Sequence, residues 1–310
     1  MEELEIMLGW ECNNNCLFCS NAKLKEIARE KGKEEIKLAD VKCRITKNKK
    51  NSEEILMLVG GEPTIRNDIF EIINFARKKG YARISMMTNG RMLSNIDFCR
   101  KLLSNGLTDI GVSIHSHKAE IQDSLTRSPG SFRQTVKCLN NLNALGVRLV
   151  TNTVINKKNY KNLDKMVSFL ARFKPEVITF TFPNPRGNAE KYFWEIIPKY
   201  KEVMPYVIKA IKKGRQLNQD VHISDIPICL MKGYKQNMQE LFFDKERRII
   251  THVFNDIIYT PYSGRDKSKH QYCNSCVSAG ECEGVWTRYL EIYGDKEFRN
   301  VESSEKSKNF

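Results

Sequence analysis

The sequence predicts an α/β chain built as a partial (β/α)6 TIM-like barrel with a small Cys-rich C-terminal extension. Three observations carry that prediction. Apolar strand-like runs alternate with amphipathic helix-like segments six times over residues 1–220. The unusual polar motifs fall just after the strands, on the face where barrels and open parallel sheets build their sites. Beyond about residue 220 the alternation stops, and three cysteines gather between Cys273 and Cys282.

The elements follow in order. "LEIML" near Leu4 is the first strand, followed by "CNNNCLFC" from Cys12 to Cys19 and a Lys/Glu-rich helix. "EILMLVG" is the second strand and ends at Gly60; "DIFEIINFARKKG" has helical spacing and a terminal glycine. "ARISMM" leads to "TNG" at Thr88, and "NIDFCRKLLSNG" is amphipathic and stops at Gly106. "DIGVSIH" ends at His115. The next helix opens with Ser131 and Gln134 in capping-box spacing and closes at Gly146. "VRLVTNTVI" and "EVITFTF" are the fifth and sixth strands, with "NYKNLDKMVSFLARF" between them and a long helix from about Ala189 to Gln219 after them. Such units imply a parallel sheet with right-handed crossovers. Six units are three quarters of an eight-unit barrel, and the pattern leaves open whether the sheet closes. The expected division is a barrel over 1–220, a cysteine-stabilised unit over 221–300 and a loose polar tail over 301–310.

Composition is ordinary for a globular chain, with 41% apolar and 28% charged residues. No apolar run has membrane-spanning length, and "MEELEIMLGW" carries acidic residues where an export signal needs basic ones. The expectation is a cytoplasmic protein with no membrane partner. Ten cysteines in a reducing compartment read as metal ligands or thiols rather than disulfides. The net charge of +14 allows a nucleic-acid or acidic partner, with 11 basic against 5 acidic residues over 23–50. A solvated helix face explains that stretch equally well. No zinc-finger, homeodomain or RNA-recognition signature is present.

Cys12, Cys16 and Cys19 form a C-x3-C-x2-C set with no fourth ligand in the loop. Zinc or an iron–sulfur cluster suits clustered thiolates. A [4Fe–4S] cluster on three cysteines leaves one iron open, and an open metal position implies catalysis. Taken alone, "GGEPT" would be an ordinary Gly-Pro turn. His115 and His117 stand where a base could, although strand-end histidines more often orient a neighbour. Cys99 and Cys138 fall on apolar helix faces, and Cys43 has no partner in sequence. No catalytic residue is assigned.

"CNNNCLFC", with the aromatic Phe18 before its last cysteine, resembles the signature of the radical S-adenosylmethionine (SAM) superfamily. "GGEPT" at Gly60–Thr64, "TNG", "SIHSHKAEIQDSLTRSPGSF" and "NTVIN" follow in that family's order, over roughly residues 3–183. The resemblance implies that Cys12, Cys16 and Cys19 hold a [4Fe–4S] cluster whose fourth iron is chelated by SAM. It places backbone groups of Gly60, Gly61 and Glu62 at the SAM amino group. Asn89, Ser113 and Asn152 would line the SAM pocket, with Arg127 as a candidate for its carboxylate. It further implies a reduced flavodoxin- or ferredoxin-type electron donor, reductive cleavage of SAM to a 5′-deoxyadenosyl radical, and hydrogen abstraction from a substrate.

"CNSCVSAGEC" gives C-x2-C-x5-C at Cys273, Cys276 and Cys282, similar to the ligand core of SPASM and twitch auxiliary-cluster domains. Trp286 stands where the full SPASM pattern has a further cysteine. Cys229 is the candidate fourth ligand of a single auxiliary [4Fe–4S] cluster; His270 would instead complete a Cys3His zinc site. Auxiliary clusters in the superfamily often accompany peptide or protein modification, the first functional expectation, with a peptide or small-molecule substrate as the partner. Molybdenum-cofactor members end in Gly-Gly, whereas this sequence ends "SKNF", which counts against that branch. RNA or nucleotide modification, and a non-catalytic metal-cluster protein that binds nucleic acid, are the alternatives.

Overall fold

Leu4 and Ile6 have no exposed surface, whereas Glu3 and Glu5 between them face an open lumen. That alternation makes Glu3–Met7 the first strand, β1, with its apolar face under the helices. The structure, a computed structural model, describes residues 3–32, 36–49, 54–241, 247–250, 257–260 and 266–298. The expected tail over 301–310 lies outside the described residues.

After β1 come α1 (Asn21–Glu30), α2 (Leu38–Asn48), β2 (Ile55–Val59), α3 (Ile69–Lys78) and β3 (Arg83–Thr88). Next are α4 (Ile96–Asn105), β4 (Asp109–Ser113), α5 (Ala119–Thr126), α6 (Ser131–Ala144), β5 (Arg148–Val154), α7 (Leu163–Leu170) and β6 (Val177–Thr181). Two single-turn helices, α8 (Asn188–Lys191) and α9 (Phe193–Ile196), precede α10 (Tyr200–Gln216) and β7 (Val221–Ser224). The remaining elements are β8 (Arg247–Ile250), β9 (Ile257–Thr260), β10 (Lys267–Ser268), β11 (Val285–Trp286) and α11 (Thr287–Tyr293).

The main sheet runs β7-β6-β5-β4-β3-β2-β1-β8-β9. β1 to β7 are parallel to their neighbours, β8 continues parallel to β1, and β9 turns back antiparallel. Seven parallel strands therefore curl into a half-barrel that stays open among the described residues. Residue 221, expected to begin the extension, instead opens a seventh strand paired with β6.

Two local expectations are corrected. α6 is not capped by Ser131 and Gln134. Asp123 of α5 accepts from the backbone N–H groups of Gly130 and Phe132, at 2.7 and 2.8 Å, and Gln134 accepts from Arg91 instead. The single helix expected from Ala189 to Gln219 is three: it breaks at Tyr192, φ −105° and ψ 31°, and again at Ile197, which is extended as a residue preceding proline prefers.

The C-terminal unit shares the barrel's core. Tyr200 of α10 and Tyr289 of α11 are fully buried, Tyr200 stacks on Phe182 at 3.7 Å, and the Tyr289 hydroxyl accepts from Tyr200 N–H at 3.1 Å. Cys99 and Cys138 are buried core residues, as their helix faces predicted; Cys43 is exposed. At the N-terminal ends of the strands, Asp109 pairs with Arg83 at 2.7 Å and Arg148 at 3.3 Å, and Arg148 pairs with Glu176. No helix among the described residues is long and apolar enough to cross a membrane.

Candidate active site and metal centres

The loop carrying Cys12, Cys16 and Cys19 is pinned from several sides. Asn15 and Leu17 donate their backbone N–H groups to Thr126 and Leu125 of α5, each at 2.9 Å. Asn188, at the start of α8, donates its backbone N–H to Cys19 O at 3.0 Å and its side-chain amide to Cys16 O at 2.8 Å. Arg91 reaches Asn13 O and, at 3.1 Å, Asn14 Oδ1. An asparagine-rich loop that would otherwise be mobile is thus fixed by partners from β3, α5 and the β6 side.

Burial is the main cause that pushes all three thiols above their ordinary range, and neighbouring thiolates raise Cys12 and Cys16 further. The sulfurs therefore feel one another, yet they do not all lie within 4.8 Å of each other. Thiolates around one tetrahedral zinc stand about 3.8 Å apart. The wider spacing, with only three protein thiols, fits a polynuclear iron–sulfur centre, whose iron charge offsets the cost of burying thiolates.

Beside the loop, "GGEPT" follows β2. Gly61 and Glu62 donate their backbone N–H groups to Gly9 O at 2.8 Å and Glu11 O at 2.7 Å. A Cβ on Gly61 would lie 2.1 Å from Glu11 O, and one on Gly60 would lie 2.6 Å from Gly9 O. The glycines are therefore required by this close approach of backbones, and Asn21 Nδ2 donates to the Gly60 carbonyl at 3.1 Å. The Glu62 side chain is occupied: Oε1 accepts from Thr64 N and Oγ1 and from Thr88 Oγ1, and Oε2 from Asn89 N at 2.7 Å.

The other candidates are distributed as follows. Asn89 donates to Asn13 Oδ1 at 2.7 Å and contacts Cys12 Sγ at 3.8 Å. Ser113 of β4 and Asn152 of β5 are register partners, and Asn152 lines the lumen while accepting from Thr181 Oγ1 at 2.7 Å. Phe18 also lines the lumen and packs edge-on against His115 at 4.4 Å. Arg127 commits Nε to Asn15 O at 2.7 Å and Nη1 to the Tyr192 hydroxyl at 2.8 Å, close enough for its charge to act on Cys16. His115 is fully enclosed; its Nδ1 accepts from Val154 N–H at 3.1 Å, and burial lowers its pKa to about 3. It is a neutral packing partner of Phe18, not a base. Sequence reasoning missed Arg91 and Asn188, whose bonds to the loop come from sequence-distant segments; the position of Arg91 right after "TNG" was the available signal.

The rear cysteines are gathered too. Cys229, in a single turn after β7, lines one cavity with Cys273, Cys276 and Cys282, walled by Ile228, Val285 and Leu290. His270 also borders the cavity, with Nε2 paired to Asp295 at 2.8 Å.

The chain's relatives agree with this geometry. It is 29% identical over 216 residues to an AdoMet-dependent heme synthase of Methanosarcina barkeri, covering 67% of this chain and 59% of that protein. It is equally similar to a probable GTP 3′,8-cyclase of Saccharolobus islandicus, covering 69% and 67%. The Streptococcus suis SuiB structure bound to precursor peptide SuiA superposes with a TM-score of 0.59 at 16% identity, over 97% of this chain and 75% of that one, which shows a common fold. The family model described as "Radical SAM superfamily" matches residues 10–170, more than half of the chain. With three convergent thiols after β1 and a glycine cradle after β2, the chain belongs to the radical SAM superfamily, enzymes that use a [4Fe–4S] cluster and S-adenosylmethionine.

Proposed function

We propose that this enzyme modifies a peptide or protein by hydrogen abstraction at the mouth of its half-barrel. The observation that carries the substrate class is the strand-end part of the lumen wall. There Asp225 offers a carboxylate, while Arg83 and Arg148, the guanidiniums among the described lumen residues, are held by Asp109 and Glu176 at the opposite ends of the strands. That end favours a neutral or basic peptide over a triphosphate or an RNA backbone. The lumen holds about 1020 Å³, at the upper end of the ~300–1,000 Å³ of a small-molecule site, which leaves room for a peptide segment. SuiB, with the same fold, was solved with its precursor peptide. The nucleotide reading draws on the similarity to the GTP cyclases.

In this reading Cys12, Cys16 and Cys19 hold the cluster, and the backbone of Gly60, Gly61 and Glu62 receives the SAM amino group. When bound, cluster and SAM supply a 5′-deoxyadenosyl radical at the strand ends, fed by a flavodoxin- or ferredoxin-type donor. Asn89, Ser113 and Asn152 orient SAM beside Phe18, and Arg127 stabilises the thiolate loop and receives the SAM carboxylate. Cys229, Cys273, Cys276 and Cys282 hold a closed auxiliary [4Fe–4S] cluster in a twitch-like unit, suited to electron transfer.

The test is anaerobic reconstitution with iron, sulfide, dithionite and SAM. 5′-Deoxyadenosine above a Cys16→Ala control is expected, and its absence overturns the enzyme mechanism. Protein lacking Cys12, Cys16 and Cys19 retains about four irons if the rear site is a cluster; zinc alone there rules the auxiliary cluster out.

A further inference from the structure

Where β7 ends, three carboxylates converge. One oxygen each of Asp225, Glu240 and Glu283 lies within 4.8 Å of the others. Among the described residues one cation serves them: Lys267, 3% exposed, contacts Asp225 at 2.6 Å and Glu283 at 2.5 Å, and its ammonium lies 4.6 Å from the Trp286 ring. Glu240 accepts from Ser224 Oγ at 2.9 Å and from Asp225 N. These contacts leave a remainder. Among the described residues, Glu240 Oε2 and Glu283 Oε1 are buried with no hydrogen-bond partner, and the Glu283 side chain is nine-tenths enclosed. An orphaned buried carboxylate oxygen is costly unless a ligand completes it.

The neighbouring wall is incomplete in the same sense. Asp225 lines the lumen in a left-handed conformation, φ 63°, fixed by its bonds to Lys267 and Glu240 and by the Tyr200 hydroxyl on its carbonyl at 3.1 Å. Strain held by so many partners marks functional positions. Trp286, 4% exposed, and Asn184 line the same lumen, and Trp286 Nε1 and Asn184 Oδ1 are also buried without partners among the described residues. One is a donor and the other an acceptor, the complement of a peptide group. The Lys267 ammonium sits against two of the three carboxylates and leaves the third, Glu240, with no direct cation contact among the described residues.

We propose that Asp225, backed by Glu240 and Glu283, anchors a lysine- or arginine-type side chain of the substrate, while Trp286 and Asn184 hold the adjoining backbone amide. This rests on the peptide reading and narrows it to a basic residue near the site of modification. Trp286, which stands where a longer cysteine pattern would have another ligand, serves the substrate rather than a cluster.

The test is calorimetric titration of the anaerobically reconstituted, SAM-loaded full chain with three probes: Nα-acetyl-lysine N-methylamide, its norleucine counterpart and GTP. The lysine probe is expected to bind about tenfold more tightly than the norleucine one. Asp225→Asn and Glu240→Gln, each with wild-type iron content and thermal midpoint, should cut that preference to about twofold. If one variant fails to fold, the other and the wild-type comparison still decide. Equal binding of the two amides, or no binding of the lysine probe, overturns the subsite and leaves the peptide reading to its own test. GTP binding more tightly than either amide overturns both.

Discussion

Asn89, the first residue after β3, donates its backbone N–H to Glu62 Oε2 at 2.7 Å. This bond ties the end of β3 to the end of β2 directly below the cysteine loop, and Asn89 then reaches Cys12 with its side chain. The acidic residue of "GGEPT" is thus a bracket between strand ends. Burial raises its pKa, and the donors from Asn89, Thr64 and Thr88 work against that rise.

Glu62→Ala should therefore cost stability and cofactor together. It strands the Asn89 N–H and the Thr64 and Thr88 hydroxyls, and losing bonds to a charged, buried acceptor amounts to about 3 kcal/mol. Glu62→Gln keeps the shape and should cost about half of that. Urea denaturation measures the first effect and iron per chain after reconstitution the second. An Ala variant within about 0.5 kcal/mol of wild type would show that the bracket is not structural.

Gly61→Ala acts on the same junction from the backbone side. Its Cβ would meet Glu11 O at 2.1 Å and Trp10 O at 2.6 Å, and neither oxygen belongs to a flexible side chain. Residues 9–12 must shift, taking Cys12 with them, so iron retention and SAM binding should each fall by about tenfold. Gly146→Ala is the control: its φ is +64° but nothing lies within 4 Å, so it should cost only about 1 kcal/mol of strain and spare the site. Equal effects of the two substitutions would mean that the close approach at Gly61 does not govern the loop.

The alternation of apolar runs with glycine-terminated helices made the sheet order legible, because each strand must bury one face and each helix one stripe. The cysteine positions were legible from spacing alone, since thiolate chemistry is local. The supports of the loop were not. Arg91 and Asn188 act through backbone carbonyls of residues far away in sequence, and a carbonyl carries no sequence signal. The seventh strand was read as part of the extension because Val221–Ser224 is four residues long and its partner β6 lies a whole helix earlier. Ser131 matched a capping pattern, yet Asp123 won the helix end because a carboxylate from α5 accepts from two N–H groups at once.

His115 gives the chain a pH dependence with a definite sign. Its folded pKa is lowered from 6.5 to about 3 by burial, so between those values the unfolded chain binds a proton that the folded chain refuses. Stability attributable to His115 is complete above pH 6.5 and is lost progressively as the pH falls toward 3. At pH 5 the loss is about 2 kcal/mol relative to pH 7. His115→Gln can still accept from Val154 N–H but has no such titration, so its stability should change less between pH 7 and 5 by that amount. Denaturation of both metal-free chains at the two pH values makes the comparison, because acid release of iron then contributes to neither. Parallel pH dependences would mean that His115 is reached by water and is not the enclosed, neutral support of Phe18.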